Sequence, residues 1–128
     1  LDYFTNQPKK EFFTDKAQNL SDYVYPKIES WVKSFNDADF VVTDSFHGTV
    51  FSIIFNKPFL VLLNEERGAS RFHSLLSQLG LEERLVANYT EFSTAILDKK
   101  IDFESVNKKV EELRKHSLDF LSNSIEIK

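Results

Sequence analysis

The residues best suited to chemistry in this sequence lie in one short turn. Asp44, Ser45, His47 and Gly48 follow an apolar run, and a second apolar run begins directly after them. The pattern predicts a strand, a tight turn and the N-terminus of a helix, with a titratable side chain at the junction. Because the first N–H groups of a helix are unpaired and the helix dipole is positive there, we expect an anion-binding site, with phosphate as its natural ligand.

His47 is the candidate catalytic side chain of this turn. In the first turn of a helix its imidazole can bond a phosphate oxygen or move a proton near neutral pH. The alternative is a structural histidine packed against the sheet edge. Gly48 permits close approach of a ligand or serves local packing, and Asp44 and Ser45 are first of all helix caps. A Ser–His–Asp hydrolase is rejected, because the turn lacks the first glycine of the Gly-x-Ser-x-Gly pattern.

A second polar loop, residues 64–71, contains two arginines. Arg67 and Arg71 each present a planar fork that suits a phosphate or a carboxylate. The alternative is a solvated loop in which they pair with Glu65 and Glu66. No cluster of His, Asp and Glu has the spacing of a metal site, so no metal is expected.

Apolar runs at 40–43, 59–63 and 85–87 have the composition of buried strands and alternate with helical patterns. The alternation predicts an α/β fold: a Rossmann-like parallel sheet with helices on both faces. Ligands of such sheets bind beyond the carboxyl ends of the strands. The loops after the first two strands then lie on the same edge, which brings His47, Arg67 and Arg71 toward one cleft.

The helices are predicted from their caps and apolar spacing. The first has its apolar face at Ile28, Trp31, Val32 and Phe35. The helix after the second polar loop is expected to be capped by Ser70 and to end at Gly80. Its inward face is expected to comprise Phe72, Leu75, Leu76 and Leu79. Thr90 is expected to cap a short helix with Phe92, Ala95 and Ile96 inward. Asp102 is expected to cap a C-terminal helix over 103–123 with Phe103, Val106, Val110, Leu113 and Phe120 inward.

Length and composition limit the number of domains and the classes of partner that the chain is expected to have. The chain of 128 residues suits a single α/β domain over 1–128, with a poorly defined segment at 1–25. A net charge of −4 does not indicate the excess of basic residues that is typical of nucleic-acid-binding proteins. No apolar run approaches the ~20 residues of a membrane span. The chain has no Cys. It also has no Met and begins at Leu1, so we expect a piece of a longer protein.

Four segments together resemble the polysaccharide pyruvyl transferase family: residues 38–49, 56–64, 67–72 and 79–81. The resemblance covers about residues 28–87 and implies a GT-B-like architecture with the cleft between two Rossmann-like halves, of which this chain resembles the C-terminal one. The implied reaction moves a pyruvate ketal from phosphoenolpyruvate to a sugar of a bacterial surface polysaccharide, with no cofactor. The implied location is cytoplasmic, including the inner face of the membrane where glycans are assembled.

The resemblance also implies a set of site residues. His47 is catalytic, and the donor-binding set comprises Ser45, His47, Gly48, Thr49, Arg67 and Arg71, with support from Asp44 and Asn64. Many family members read Arg-x-His-Gly at this turn, and Ser45 stands where that arginine would be. The missing cation puts the donor's identity in question, unless Arg67 or Arg71 supplies it from the neighbouring loop.

Two alternatives stay open at this stage. A GT-B-like glycosyltransferase would use the same helix N-terminus to hold the diphosphate of a nucleotide sugar. A non-catalytic binding module would use the His-Gly turn only for packing. In the leading interpretation the partners are phosphoenolpyruvate, a saccharide acceptor and the N-terminal domain of the same parent chain, and the fragment alone is expected to lack turnover.

Overall fold

The sheet is parallel throughout the part of the chain that the computed structural model describes, residues 3–5, 27–63, 68–87 and 93–125. Its strands are β1 (Tyr3–Thr5), β2 (Phe40–Thr43), β3 (Phe59–Leu62) and β4 (Leu85–Val86). They pair in chain order, with Thr43 opposite Val61 and Val61 opposite Leu85. The predicted α/β class is confirmed. Sequence reasoning missed β1, because three residues are too few to show a periodicity.

Five helices and a 3-10 turn accompany the described strands. They are α1 (Ile28–Asp37), α2 (Phe46–Ile54), α3 (Ala69–Leu79), the 3-10 turn Glu82–Arg84, α4 (Ala95–Asp98) and α5 (Phe103–Ile125). Helix α2 joins β2 to β3, and α3 lies between β3 and β4, as crossovers in a parallel sheet require. The C-terminal helix is confirmed and extends two residues beyond the expected 123.

Aromatic side chains join neighbouring helices over the core. Phe35 of α1 stacks on Phe51 of α2 with ring centroids 5.6 Å apart. Phe46 of α2 meets Phe72 of α3 edge to face at 5.7 Å. The sheet contributes fully buried side chains to the same core, among them Val41, Phe59 and Val61. Edge-to-face and offset aromatic pairs each contribute roughly 0.5–1.5 kcal/mol of stability beyond the burial of their surface. The two contacts therefore help to define the packing of α1 on α2 and of α2 on α3.

The start of α3 differs from the expectation. Ser70 does not cap this helix; the N-cap is Gly68, in the left-handed region at φ 88°, and the helix begins at Ala69. A glycine reaches that conformation without the steric penalty of a Cβ, so the helix begins two residues earlier than a cap at Ser70 would place it. The other end agrees with the prediction, because Gly80 terminates α3 at φ 71°.

Two predictions concern the short helix α4. Ile96 is half-buried as expected, whereas Ala95 is exposed, so its predicted inward position is wrong. Four residues form barely one turn, which does not set a stable inward face. The predicted cap Thr90 and the core residue Phe92 lie outside the described residues.

Helix α5 is buried only near its beginning. Asp102 accepts a hydrogen bond from the N–H of Ser105 at 3.2 Å, as its predicted capping role requires. Val106 is buried and Phe103 half-buried. The predicted inward positions of Val110, Leu113 and Phe120 are wrong, since these side chains are 38%, 41% and 67% exposed. Apolar periodicity defines a face of a helix, but it does not tell what covers that face.

Arg84 is a buried anchor that sequence reasoning missed. Its Nη1 donates to the carbonyl of Ile96 at 3.0 Å, and its Nη2 donates to the carbonyl of Lys99. In the described structure Nε makes no hydrogen bond, and the Glu83 carboxylate lies 3.9 Å away. Burial lowers the pKa of the Arg84 guanidinium, partly opposed by the charge of Glu83. The side chain ties the segment before α5 to the amino end of β4.

Among the residues that the structure describes, no helix combines the length and the apolar composition that a membrane span requires.

Candidate functional site

The turn between β2 and α2 is built by hydroxyl groups. The N–H of Ser45 donates to Oγ1 of the buried Thr43 at 3.0 Å, and Oγ of Ser45 accepts from the N–H of Gly48 at 3.3 Å. Ser45 is therefore the N-cap, in an extended conformation at φ −95° and ψ 133°. This arrangement decides between the two predicted caps: Asp44 is a half-buried turn residue, and Ser45 starts the helix.

The first N–H groups of α2 determine what an anion could bind. The N–H of Gly48 is taken by the cap, and the N–H of Thr49 donates to the carbonyl of Ser45 at 3.0 Å. The earlier donors are those of Phe46 and His47, which a helix cannot bond internally. Together with the positive end of the helix dipole, they give this end of α2 the character of an anion site.

His47 lies at this helix start with its side chain exposed. Its ring meets Phe46 edge to face, with centroids 6.1 Å apart and planes at 80°. An exposed imidazole can reach a ligand seated on the N–H groups beside it. The structural alternative, a histidine packed into the sheet edge, is at odds with this exposure.

Gly48 and Thr49 are placed differently from His47. Both are buried, and the hydroxyl of Thr49 donates to the carbonyl of Ser45 at 3.1 Å. The carbonyl of Gly48 in turn accepts from the buried hydroxyl of Ser52 at 2.8 Å. These hydrogen bonds lie within the N-cap and the first turns of α2. Gly48 and Thr49 are therefore buried parts of the turn, whereas His47 is exposed.

Arg71 comes to the same region from the first turn of α3. Its Cζ lies over the Phe46 ring, 5.4 Å from the centroid, in cation–π geometry. Gly68 leaves room for this position of the guanidinium, because a Cβ at residue 68 would stand 3.0 Å from Nη2 of Arg71 and would require the side chain to shift. The ring of Phe46 thus lies beside the imidazole of His47, with the guanidinium of Arg71 over its face.

His47 and Arg71 both lie beside the ring of Phe46, which agrees with the predicted convergence. That they share one ligand cleft stays a prediction. Arg67 and Asn64 lie outside the described residues. Phe46 and Gly68 were not singled out from the sequence, although both have a recognisable signal. Phe46 is an aromatic residue directly before the histidine at a helix start, and Gly68 precedes a helix just ahead of an arginine. In the described ranges no three side chains among His, Asp and Glu gather closely enough to hold a metal ion.

Comparison with known proteins connects this geometry to one family. The family model described as polysaccharide pyruvyl transferase matches residues 8–66, a range that includes β2, α2, β3 and the turn with His47. Arg71 lies beyond the matched range. No curated protein and no solved structure gives a significant match. The match supports a pyruvyl transferase activity in general, and through it a saccharide acceptor. The resemblance to the polysaccharide pyruvyl transferase family is thereby confirmed over residues 8–66.

Proposed function

We propose that this chain is the donor-binding, C-terminal half of a pyruvyl transferase that forms a pyruvate ketal on a sugar of a bacterial surface polysaccharide. The observation that carries the proposal is the exposed His47 at the start of α2, with Arg71 held beside it on Phe46. Phosphoenolpyruvate is a small dianionic or trianionic donor, and these groups supply the N–H donors and cations that it requires.

The reaction places specific demands on the site. The methylene carbon of phosphoenolpyruvate accepts a proton and becomes the methyl group, while positive charge develops at the central carbon. Two sugar hydroxyls form C–O bonds to that carbon, and the C–O bond to phosphate breaks. One hydroxyl proton balances the proton gained by the methyl group, and the other leaves with phosphate. The site must therefore hold a phosphate, orient a carboxylate and deliver a proton.

The chain's own residues divide these tasks. The N–H groups of Phe46 and His47 hold the phosphate at the helix start, where fixed dipoles stabilise the departing charge. The imidazole of His47 bonds the phosphate or acts as the general acid; both roles need the exposure that it has. Arg71 takes the donor's carboxylate and replaces the cation that Ser45 does not provide, with Arg67 as the other candidate. Asp44 and Asn64 support the turn and the second loop, and no cofactor takes part.

The active-site cleft is completed by a second domain, as the family architecture implies. The opposite wall of the cleft belongs to an N-terminal domain of the parent chain, so the isolated 128 residues bind the donor without turning it over. The protein acts in the cytoplasm, at the inner membrane face where glycans are assembled.

A binding comparison tests the donor assignment. We expect calorimetry to show that phosphoenolpyruvate binds the chain and that His47→Ala weakens it about tenfold or more, because a hydrogen bond to a charged group contributes about 1.5–3 kcal/mol. His116→Ala, in the exposed part of α5, is the matched control and should bind as the wild type does. Binding of UDP-glucose but not phosphoenolpyruvate would favour the glycosyltransferase alternative. Binding of neither would favour a non-catalytic module.

A further inference from the structure

An open groove of about 500 Å³ runs along α3 beside the start of α2. Phe46 and Leu75 form its apolar part. The remaining lining residues are polar: Ser70, Arg71, Ser74 and Gln78. Through Phe46 and Arg71 the groove is continuous with the turn that carries His47, yet most of its lining lies beyond the donor site.

The polar wall of the groove is regular. Ser70, Ser74 and Gln78 are four residues apart, so they lie on one face of α3 and span about 12 Å at a rise of about 1.5 Å per residue. All three are exposed. Nε2 of Gln78 donates to the carbonyl and to the hydroxyl of Ser74, both at 3.2 Å. At an exposed position such bonds exchange readily for bonds to a ligand's hydroxyl groups.

The chemistry of the lining indicates a class of ligand. Two hydroxyls and an amide both donate and accept, which matches a ligand rich in hydroxyl groups. Phe46 and Leu75 offer an apolar surface for the C–H face of a sugar ring. Among the described residues that line the groove, Arg71 is the one charged side chain, and it lies at the end nearest His47. The volume falls within the roughly 300–1,000 Å³ typical of small-molecule sites.

We propose that this groove is the subsite that binds the saccharide acceptor, with Ser74 and Gln78 as its hydrogen-bonding residues and Phe46 at the reacting end. The inference rests on the proposed function, because an acceptor subsite has a role only beside a donor site at His47. A sugar along α3 would place its terminal hydroxyls near Arg71, next to the carbon that receives them. Ser74 and Gln78, which select the acceptor, are then distinct from His47 and Arg71, which hold the donor.

Amide chemical shifts during titration with disaccharides test the groove directly. We expect lactose, maltose or cellobiose to shift the amides around Ser70, Ser74 and Gln78 saturably. Ser74→Ala and Gln78→Ala should each raise the dissociation constant about threefold to tenfold, as loss of one hydrogen bond predicts. Alanine favours helix, so both variants should keep α3 intact. Ser77→Ala, exposed on α3 but outside the groove, is the matched control and should leave the dissociation constant unchanged.

The possible results distinguish a failure of the saccharide subsite from a failure of the proposed donor site. If none of the three disaccharides shifts these amides, or glycerol at an equal hydroxyl concentration shifts them as much, the saccharide subsite is overturned. The same holds if Ser77→Ala weakens binding as strongly as Gln78→Ala. Phosphoenolpyruvate binding without disaccharide binding overturns the groove alone. Disaccharide binding without phosphoenolpyruvate binding supports the groove and contradicts the proposed donor.

Discussion

Arg71 lies in the first turn of α3 and Arg84 in the 3-10 turn that follows this helix, and the two use the same guanidinium group differently. Arg84 is fully buried and donates to two backbone carbonyls, those of Ile96 and Lys99. Arg71 is exposed and lies over the ring of Phe46, beside the turn with His47. A guanidinium that donates to backbone carbonyls within the fold serves stability. One that lies at the surface against an aromatic ring can also contact an anionic ligand from solvent, and the residue type alone does not distinguish the two.

The largest expected effect concerns Arg84. Arg84→Met keeps the apolar volume but removes the donors to Ile96 and Lys99, so we expect the free energy of unfolding to fall by about 2–4 kcal/mol. Urea denaturation measures the change. Arg114→Met, which removes an exposed ion pair with Glu111, should cost only about 0–1 kcal/mol. Equal losses in the two variants would show that Arg84 is not an anchor.

Arg71 should show the reverse pattern. Arg71 is exposed, and its cation–π contact with Phe46 contributes about 0.5–1 kcal/mol, so Arg71→Met should cost less stability than Arg84→Met. Its affinity for phosphoenolpyruvate should fall about tenfold, since the carboxylate loses a charge-assisted partner. Calorimetry of this variant beside Arg114→Met measures the difference. If the variant binds phosphoenolpyruvate as tightly as the wild type does, Arg71 is not part of the donor site, and its proposed difference in role from Arg84 is wrong.

Ser45 allows stability and binding to be separated within the turn itself. Ser45→Ala removes the cap and should lower the free energy of unfolding by about 1 kcal/mol. Ser45→Asp restores a cap and should recover that stability, but its negative charge should repel the donor's phosphate. Thermal denaturation and phosphoenolpyruvate titration of both variants measure the two effects. If Ser45→Asp binds the donor as tightly as the wild type, the phosphate does not lie at this helix start.

The regular part of the fold could be predicted because each element carries its own local signal. The strands β2 and β3 are apolar runs, and the turn between β2 and α2 has a serine at the capping position. The start of α3 could not be placed, because it depends on the left-handed Gly68. The apolar face of α5 was identifiable, but its burial depends on neighbours that periodicity does not reveal.

The site was predictable in outline and not in detail. The order of strands in a parallel sheet is enough to bring the loops after β2 and β3 to one edge, and so to bring Arg71 near His47. The contact of Arg71 with Phe46 depends on the packing of Phe46 on Phe72, which no local pattern encodes. Arg84 was missed for a similar reason. Its partners, Ile96 and Lys99, follow in a later segment, and the sequence around Glu82–Arg84 is typical of a solvated turn.

The most direct test of the donor site is to follow the imidazole of each histidine by NMR while phosphoenolpyruvate is added. The chain has three histidines, and His73 and His116 are exposed on other helices, so they are internal controls. The proposed site predicts a saturable shift of the His47 ring signals with His73 and His116 unchanged. Saturable binding of phosphoenolpyruvate that leaves the His47 ring signals in place would contradict it.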